Sequence, residues 1–252
     1  MRAVAEPGIR RVEHIMGMPI VVDVRDDDVD DAGVEEMLDW LRWVDATFST
    51  YAETSEISRL NRGELDLADA DPELRVVLAR CDELRVETGG FFDVHAASPR
   101  TIDPSGLVKG WSVERAASIL ETHGARNFAV SAGGDIVLRG RAVPELAWRV
   151  GIQHPLERGA VAAIVEANDL AIATSGEYAR GQHVFDPHTH RPPAGVLSVT
   201  ITGPDLATAD AYATAAFAMG ADAPAWTARL DGYEAMTIRA DGAVFKTVGF
   251  PG

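Results

Sequence analysis

The sequence has little cysteine, no long apolar run and few basic residues. Cys81 is the single cysteine among 252 residues, so an intramolecular disulfide is excluded, as is a lipid-bearing N-terminal cysteine. No run of about 18 apolar residues occurs, which argues against a transmembrane segment. The stretch MRAVAEPGIRRVEH lacks the apolar region of a signal peptide. We therefore expect a cytoplasmic protein, or an extracytoplasmic one if a leader was removed.

Positive charge is scarce throughout the chain. Lys and Arg number 23 against 39 Asp and Glu, which gives a formal net charge of −16. Such a chain cannot neutralise a phosphate backbone, so nucleic-acid binding is not expected. A phosphorylated ligand would need a local cation, and a bound metal ion supplies one most directly. The alternative is that the charge serves solubility, in patches such as the acidic stretch 26–31.

Two common nucleotide-binding fingerprints are absent. The sequence contains no G-x-x-x-x-G-K-[ST] motif, which excludes a P-loop protein. The glycine-rich stretch 131–135, SAGGD, does not match G-x-G-x-x-G, and no helix is predicted after it. Glycines at Gly133 and Gly134 would let a flat ligand or a neighbouring strand approach the backbone, and both options stay open.

The remaining composition is that of a globular protein, with 46% apolar and 25% charged residues. Apolar spacing and helix-end signals predict helices over about 31–46, 71–89, 111–123 and 207–220. A strand over 10–24 is interrupted by a predicted bend or bulge at 16–19, and short β-type runs dominate from 127 onward. Because helices and strands come in blocks, the predicted fold class is α+β. One domain over residues 10–250 is predicted, with a bilobal arrangement left open.

The predicted helix at 207–220, ATADAYATAAFAMG, contains a candidate metal site. Asp210 and Thr214 are four positions apart, so their side chains share one face of the helix. A carboxylate and a hydroxyl are hard oxygen ligands, the type that Mg²⁺ binds together with water and phosphate oxygens. The surrounding alanines would let another stretch of backbone or a bulky partner come close. The alternative is an aspartate near the start of an ordinary buried helix.

Three further stretches carry residues suited to anion binding or proton transfer. Lys109 lies in DPSGLVKG, at the predicted entrance of a helix that would favour anions, or it is a solvent lysine. Thr174 and Ser175 end a predicted strand and offer hydroxyl groups to an anion, or they form a plain turn. His183 has the side chain of a general base, or it is a structural histidine.

The order of these stretches along the chain resembles that of the ApbE family of flavin transferases. They extend over about residues 14 to 220 in the family's sequence order. The chain departs from the family pattern at Trp111, where tyrosine is usual, and at Glu114, where aspartate is usual. The matching stretches are HIMGMPIVV, FSTYAETSEISRLN, GGFFDV, DPSGLVKGWSVERA, FAVSAGGDIVLRG, WRVGIQHP, AIATSGEYAR, HVFDPHTHRP and ATADAYATAAFAMG.

The resemblance implies an α+β fold related to the T-fold arrangement, with FAD in a central cleft. It also implies a Mg²⁺-dependent transfer of FMN from FAD onto a threonine hydroxyl of a target protein, with release of AMP. Hydrolysis of FAD to FMN and AMP, or flavin binding without catalysis, are the alternatives.

The resemblance also assigns roles to individual residues. Asp210 and Thr214 match metal-binding side chains, and the carbonyl of Val108, in the loop before Lys109, matches the third protein ligand. His183 matches the histidine that activates the acceptor threonine. Met16 and Tyr51 match the two residues that sandwich the flavin ring. The remaining cofactor-binding positions are Lys109, Gly133, Gly134, Asp135, Thr174, Ser175 and Gly176.

Overall fold

A computed structural model describes residues 8–176 and 184–252, and within them a large antiparallel sheet is packed against helices. In chain order the elements are β1 (Ile9–Ile15), β2 (Met18–Val24), α1 (Asp31–Phe48), α2 (Glu56–Asn61), α3 (Pro72–Glu87), α4 (Ser105–Thr122), β3 (Phe128–Ala132), β4 (Asp135–Arg139), β5 (Trp148–Gln153), β6 (Val161–Ala167), β7 (Leu170–Gly176), β8 (Val196–Gly203), α5 (Leu206–Ala218), α6 (Ala223–Thr227), β9 (Glu234–Arg239) and β10 (Val244–Lys246). The strands of the large sheet follow the order β1-β2-β3-β4-β7-β8-β9-β10, and β5 pairs with β6 in a separate hairpin.

This arrangement confirms the predicted α+β class. Neighbouring strands of the large sheet pair antiparallel, from β1 with β2 to β9 with β10. The main helices lie in blocks between groups of strands rather than alternating with single parallel strands. Among the described residues, no helix combines the length and the apolar character that a membrane crossing requires. The domain limits of 10–250 stay a prediction.

Two tight hairpin turns position residues near the candidate site. Met16 and Gly17 form a two-residue turn between β1 and β2, with φ of 55° and 71°. The predicted bend or bulge at 16–19 is therefore wrong, because positive φ at both positions closes a hairpin instead. Gly133 and Gly134 connect β3 to β4 in the same way, with φ of 58° and 104°. Met16 is a non-glycine residue in the left-handed region, which carries a conformational cost.

Helix α4 begins six residues before its predicted start. It includes Gly106 and Gly110, which disfavour helix by about 1 kcal/mol each relative to alanine. Close packing against α5 explains both glycines. A Cβ atom on Gly110 would lie 2.5 Å from the carbonyl oxygen of Leu206, and one on Gly106 would lie 3.1 Å from Thr214 Cγ2. The helix thus takes in residues 105–110, which precede its predicted start.

Three apolar clusters hold these layers together. The first lies between the sheet and α1, α4 and α5, and includes Leu38, Val113 and Ala213. The second packs α3 against α1, α4 and α5, away from the sheet. The third lies on the opposite face of the sheet, where Trp148 and other apolar residues of the β5–β6 hairpin cluster with residues of β4, β7 and β9. The predicted small face of α5 is confirmed, since its alanines contact both α4 and the sheet.

We expect Gly110→Ala to destabilise the protein in spite of alanine's higher helix propensity. The added methyl group would lie within 2.7 Å of Asp210 Cβ and closer still to the α5 backbone, an overpacking that costs about 1–3 kcal/mol. For a chain of this size, each kcal/mol lowers Tm by roughly 2–4 °C. Thermal unfolding followed by circular dichroism measures the change.

Gly151→Ala is the matched control, because a methyl group there would meet only Val161 side-chain atoms at 3.4–3.5 Å. A Gly110→Ala protein with the same Tm as Gly151→Ala would contradict the close packing of α4 against α5.

Candidate active site at the crossing of α4 and α5

The N-terminal end of α5 is fixed by two carboxylates. Asp205 caps the helix and accepts a hydrogen bond from the Thr208 N–H at 2.7 Å. Glu114 of α4 accepts a hydrogen bond from the Leu206 N–H at 2.8 Å and forms an ion pair with Arg139 of β4. These contacts set the register of α5 against α4 and the sheet, and hence the positions of the two polar residues that follow.

Asp210 lies where α4 and α5 cross, and it is 1% exposed. Its Oδ2 accepts a hydrogen bond from the Gly110 N–H at 2.9 Å, and its Oδ1 accepts one from Lys109 Nζ at 3.0 Å. Both oxygens of this buried carboxylate are thus bound by donors from α4. Lys109 is therefore neither a solvent lysine nor a residue before the helix, because it lies in the second turn of α4.

Asp135 provides a second buried carboxylate beside the first. It follows the Gly133-Gly134 turn as the first residue of β4 and is fully buried. Its Oδ1 accepts a hydrogen bond from the Thr174 N–H at 3.1 Å, and its Oδ2 forms an ion pair with Lys109. The lysine ammonium therefore lies between two aspartates that come from different layers of the fold.

The electrostatics of this cluster favour additional positive charge. Burial raises the pKa of the Asp210 carboxyl, and the nearby Asp135 charge raises it further, against the opposing effect of Lys109. Burial acts to lower the pKa of the Lys109 ammonium, but Asp135 and Asp210 together raise it above its usual range. Lys109 is therefore held as a cation, and any further cation would favour the ionised form of Asp210.

Thr214 extends the polar surface by one turn of α5. Its hydroxyl lies 3.4 Å from Ser175 Oγ of β7, and its methyl group faces Gly106 of α4. The predicted shared face of Asp210 and Thr214 is confirmed. Both residues line a cleft, the acidic cleft, whose other polar lining includes Lys109 and Ser175 and whose backbone lining includes Gly133, Thr174 and Gly176.

A second cleft adjoins the first at Ser105 and Lys109, which line both. It runs between the β1–β2 turn and the segment after α1, and Met16 and Tyr51 are among its lining residues. Tyr51 is 97% exposed. We call this the Tyr51 cleft. An elongated ligand could lie across both clefts, with an aromatic group beside Tyr51 and an anionic group near Lys109.

The oxygen donors of the acidic cleft fit a magnesium ion. Within 8–176 and 184–252, no three His, Cys, Asp or Glu side chains group together as a metal site. A cation here would therefore rely on the Asp210 carboxylate, the Thr214 and Ser175 hydroxyls, and oxygens from water or a ligand. Mg²⁺ is bound in this way, by one or two carboxylates with water and phosphate oxygens.

One predicted metal ligand lies in a helix and not in a loop. The predicted loop position of Val108 is wrong, because this residue lies inside α4 with its side chain in the core. A helical carbonyl normally accepts a hydrogen bond from the N–H four residues on, so its role as a ligand stays a prediction. Gly134 completes the β3–β4 turn beside the cleft. His183 lies outside the described residues, and its role also stays a prediction.

Sequence reasoning did not identify the two glycines of α4 as site residues. Gly110 supplies the N–H that orients Asp210, and Gly106 makes room for Thr214. The sequence pattern that could have identified them is their G-x-x-x-G spacing, together with the alanine-rich helix against which they pack. Phe91 and Phe92 also line the acidic cleft, and no pattern in the sequence pointed to them as lining residues.

Several known proteins are similar to this chain in sequence. The FAD:protein FMN transferase of Vibrio cholerae is 38% identical over 129 residues, which cover 47% of this chain and 39% of that protein. The enzyme of the same name from Escherichia coli K12 is 34% identical over 156 residues, which cover 58% of this chain and 44% of that protein. The matched part of the chain thus spans less than half of either relative.

Solved structures show the same fold over nearly the whole chain. The flavin transferase ApbE from Vibrio cholerae superimposes with a TM-score of 0.84 at 24% identity, covering 96% of this chain and 97% of that one. The ApbE protein from Thermotoga maritima gives a TM-score of 0.84 at 22% identity, with the same coverage. The family model of ApbE matches residues 16–99 and 95–237, and the chain therefore belongs to the ApbE family.

Proposed function

We propose that this protein transfers FMN from FAD onto a threonine hydroxyl of a target protein, with Mg²⁺ as cofactor and AMP as the second product. The observation that carries the proposal is the meeting of Asp210, Thr214 and Lys109 in the acidic cleft, at the side where Lys109 also lines the Tyr51 cleft. The names of the curated relatives support flavin transfer. The acceptor residue, the metal and the release of AMP are parts of the proposal.

The two clefts suit the flavin ring and the diphosphate of FAD. The Tyr51 cleft offers an exposed phenol ring and the thioether of Met16, and both groups contact flat aromatic rings favourably. The acidic cleft offers hydroxyls, backbone N–H groups and the Lys109 ammonium to the diphosphate. Gly133 and Gly176 line this cleft with backbone, so no Cβ atom at these positions keeps a ligand at a distance. The isoalloxazine ring would thus lie beside Tyr51 and the diphosphate beside α4.

The chemistry is a displacement at the FMN phosphorus. The threonine oxygen forms a bond to that phosphorus, the bond to the bridging oxygen breaks, and AMP leaves with that oxygen. Such a reaction depends mainly on positioning and on neutralising the phosphate oxygens. Bound Mg²⁺ would supply Lewis-acid polarisation of the diphosphate, and Asp210 and Thr214 are the side chains that would hold it.

The remaining residues orient these groups and move one proton. The Gly110 N–H fixes the direction of the Asp210 carboxylate, and Glu114 fixes the helix that carries it. Lys109 compensates negative charge near the diphosphate. His183 takes the proton from the acceptor threonine as the new bond forms, the role of a general base.

Mixing the protein with FAD, Mg²⁺ and an acceptor protein should give covalent flavin on the acceptor and one AMP for each FMN transferred. Intact-mass spectrometry of the acceptor and chromatography of AMP measure the two products. An acceptor in which valine replaces the threonine is the control and should stay unmodified. AMP and free FMN appearing at the same rate without any acceptor would show that FAD hydrolysis is the activity instead.

Asp210→Asn should lower the transfer rate by about 10²-fold or more, because a positioned charge that binds the metal is lost. The measurement is the transfer rate as a function of Mg²⁺ concentration. Asp222→Asn is the matched control, since Asp222 is exposed shortly after the same helix. An unchanged Mg²⁺ dependence in Asp210→Asn would exclude this residue as the ligand.

His183→Ala should lower the transfer rate by about 10²–10⁴-fold while leaving FAD binding unchanged, because only proton removal is affected. Single-turnover transfer and a fluorescence titration with FAD separate the two effects. His14→Ala, at an exposed position on β1, is the control. Transfer by His183→Ala at the rate of the His14→Ala protein would show that another group takes the proton.

A further inference from the structure

Lys109 lies where a positive ion would be most stable in the described part of the site. Its ammonium is paired with Asp135 and lies 3.0 Å from Asp210 Oδ1. The lysine side chain is 17% exposed, and the two aspartate side chains are 0% and 2% exposed. One ammonium is thus shared by two buried carboxyl groups from different elements of the fold.

A metal ion that binds Asp210 must share or replace one of the two present contacts. The contact at Oδ2 comes from the Gly110 N–H, which is part of the α4 backbone and is packed against Leu206. The contact at Oδ1 comes from an ammonium on a flexible four-carbon chain. Lys109 is therefore the contact that can move without displacing a helix.

Two cations on the same oxygen of Asp210 would repel each other. Mg²⁺ binds oxygen at about 2.0–2.1 Å and requires near-octahedral surroundings. A lysine nitrogen kept at 3.0 Å from that oxygen would lie close to the metal and repel it, and it would occupy part of the volume of the metal's ligand shell. Asp135, in contrast, offers the ammonium a second carboxylate that the metal does not need.

We propose that, before a metal binds, the Lys109 ammonium occupies the place beside Asp210 that Mg²⁺ takes in the metal site. Binding of Mg²⁺ then moves the ammonium away from Asp210 Oδ1, toward Asp135 and the ligand. This rests on the metal site of the proposed function and adds an exchange between lysine and metal. Lys109 is then a positioning residue in both states. It orients Asp210 before the metal arrives, and afterwards its ammonium lies at the junction of the two clefts.

The exchange has a consequence for metal affinity that a structural lysine would not have. If Lys109 competes with the metal, its removal leaves two carboxylates without a cation, and Lys109→Met should bind Mn²⁺ at least tenfold more tightly than the wild type in the absence of FAD. If Lys109 served only to hold Asp210 in place, the same substitution would weaken binding.

The lysine content of the chain allows a direct measurement. Lys109 and Lys246 are its two lysines, so labelling with ¹⁵N-lysine gives two side-chain ammonium signals. Lys246 binds the Gly252 carbonyl at the surface, and Lys246→Met identifies its signal. Titration of the metal-free wild type with MgCl₂ alone should shift the Lys109 ammonium signal and speed its hydrogen exchange, while Lys246 stays unchanged. In Asp210→Asn the Lys109 signal should not respond.

Calorimetric titration with Mn²⁺ completes the test, with Lys246→Met as the matched control for Lys109→Met. A Lys109 signal that does not move at a Mg²⁺ concentration saturating an Asp210-dependent site would overturn the exchange. Weaker Mn²⁺ binding by Lys109→Met would overturn it as well. Should Lys109→Met not fold, Lys109→Gln replaces it, and the measurement on the wild type needs no substitution.

These outcomes are separate from those of the transfer assay. Failure of wild-type FMN transfer alongside a normal Lys109 response would contradict the proposed function and leave the exchange intact. Normal, Mg²⁺-dependent transfer with no Lys109 response would contradict only the exchange. No Asp210-dependent response to Mg²⁺ or Mn²⁺ in any experiment would contradict both the exchange and the assigned metal ligand.

Discussion

The site depends on how closely α4 approaches α5. Because Gly110 has no side chain, its N–H reaches the carboxylate of Asp210 across the helix crossing. The same approach places Lys109 beside Asp210 and brings Thr214 close to Ser175 of the sheet. Helix propensity is given up at the glycines, and the crossing that results orients Asp210 and places Lys109 and Thr214 beside it in the acidic cleft. This exchange of local stability for geometry is common at functional sites.

Burial gives the cluster its chemical character. Asp135 and Asp210 are shielded from water, so each ionised carboxylate needs a nearby positive group. Lys109 is the ammonium that both of these carboxyl groups contact. The cluster therefore favours a further cation, and the proposed Mg²⁺ would let a strongly acidic chain bind the phosphates of its proposed substrate. The net charge of the chain and the chemistry of its proposed substrate are compatible for this reason.

Much of the fold followed from the sequence. The apolar spacing of α1 and α3 is a local pattern, and the structure confirms both helices. The start of α4 could not be predicted, because Gly106 and Gly110 are unfavourable for helix formation by themselves. Their reason lies in α5, about 100 residues away. The Met16-Gly17 turn was misread for a related cause, since methionine is uncommon at positive φ.

The candidate site was predictable in composition but not in contacts. The i,i+4 spacing of Asp210 and Thr214 predicted a shared face, and family resemblance supplied Met16, Tyr51 and the glycine-rich turns. The pairing of Lys109 with both aspartates depends on three elements meeting in space, which no local pattern records. Glu114, which binds the first N–H of α5, was noticed only as a departure from the family pattern.

The two clefts differ in how far each is organised before a ligand arrives. Hydrogen bonds in the protein interior hold Asp210, so the diphosphate of a bound ligand would lie beside side chains that have already lost their rotational freedom. Tyr51 is almost entirely in solvent, and its ring gives up side-chain entropy only when an aromatic group stacks on it. Stacking of the proposed flavin ring would therefore cost side-chain entropy at Tyr51 that binding of the diphosphate would not cost at Asp210. A substitution at Tyr51 would change binding of that ring without disturbing the folded core.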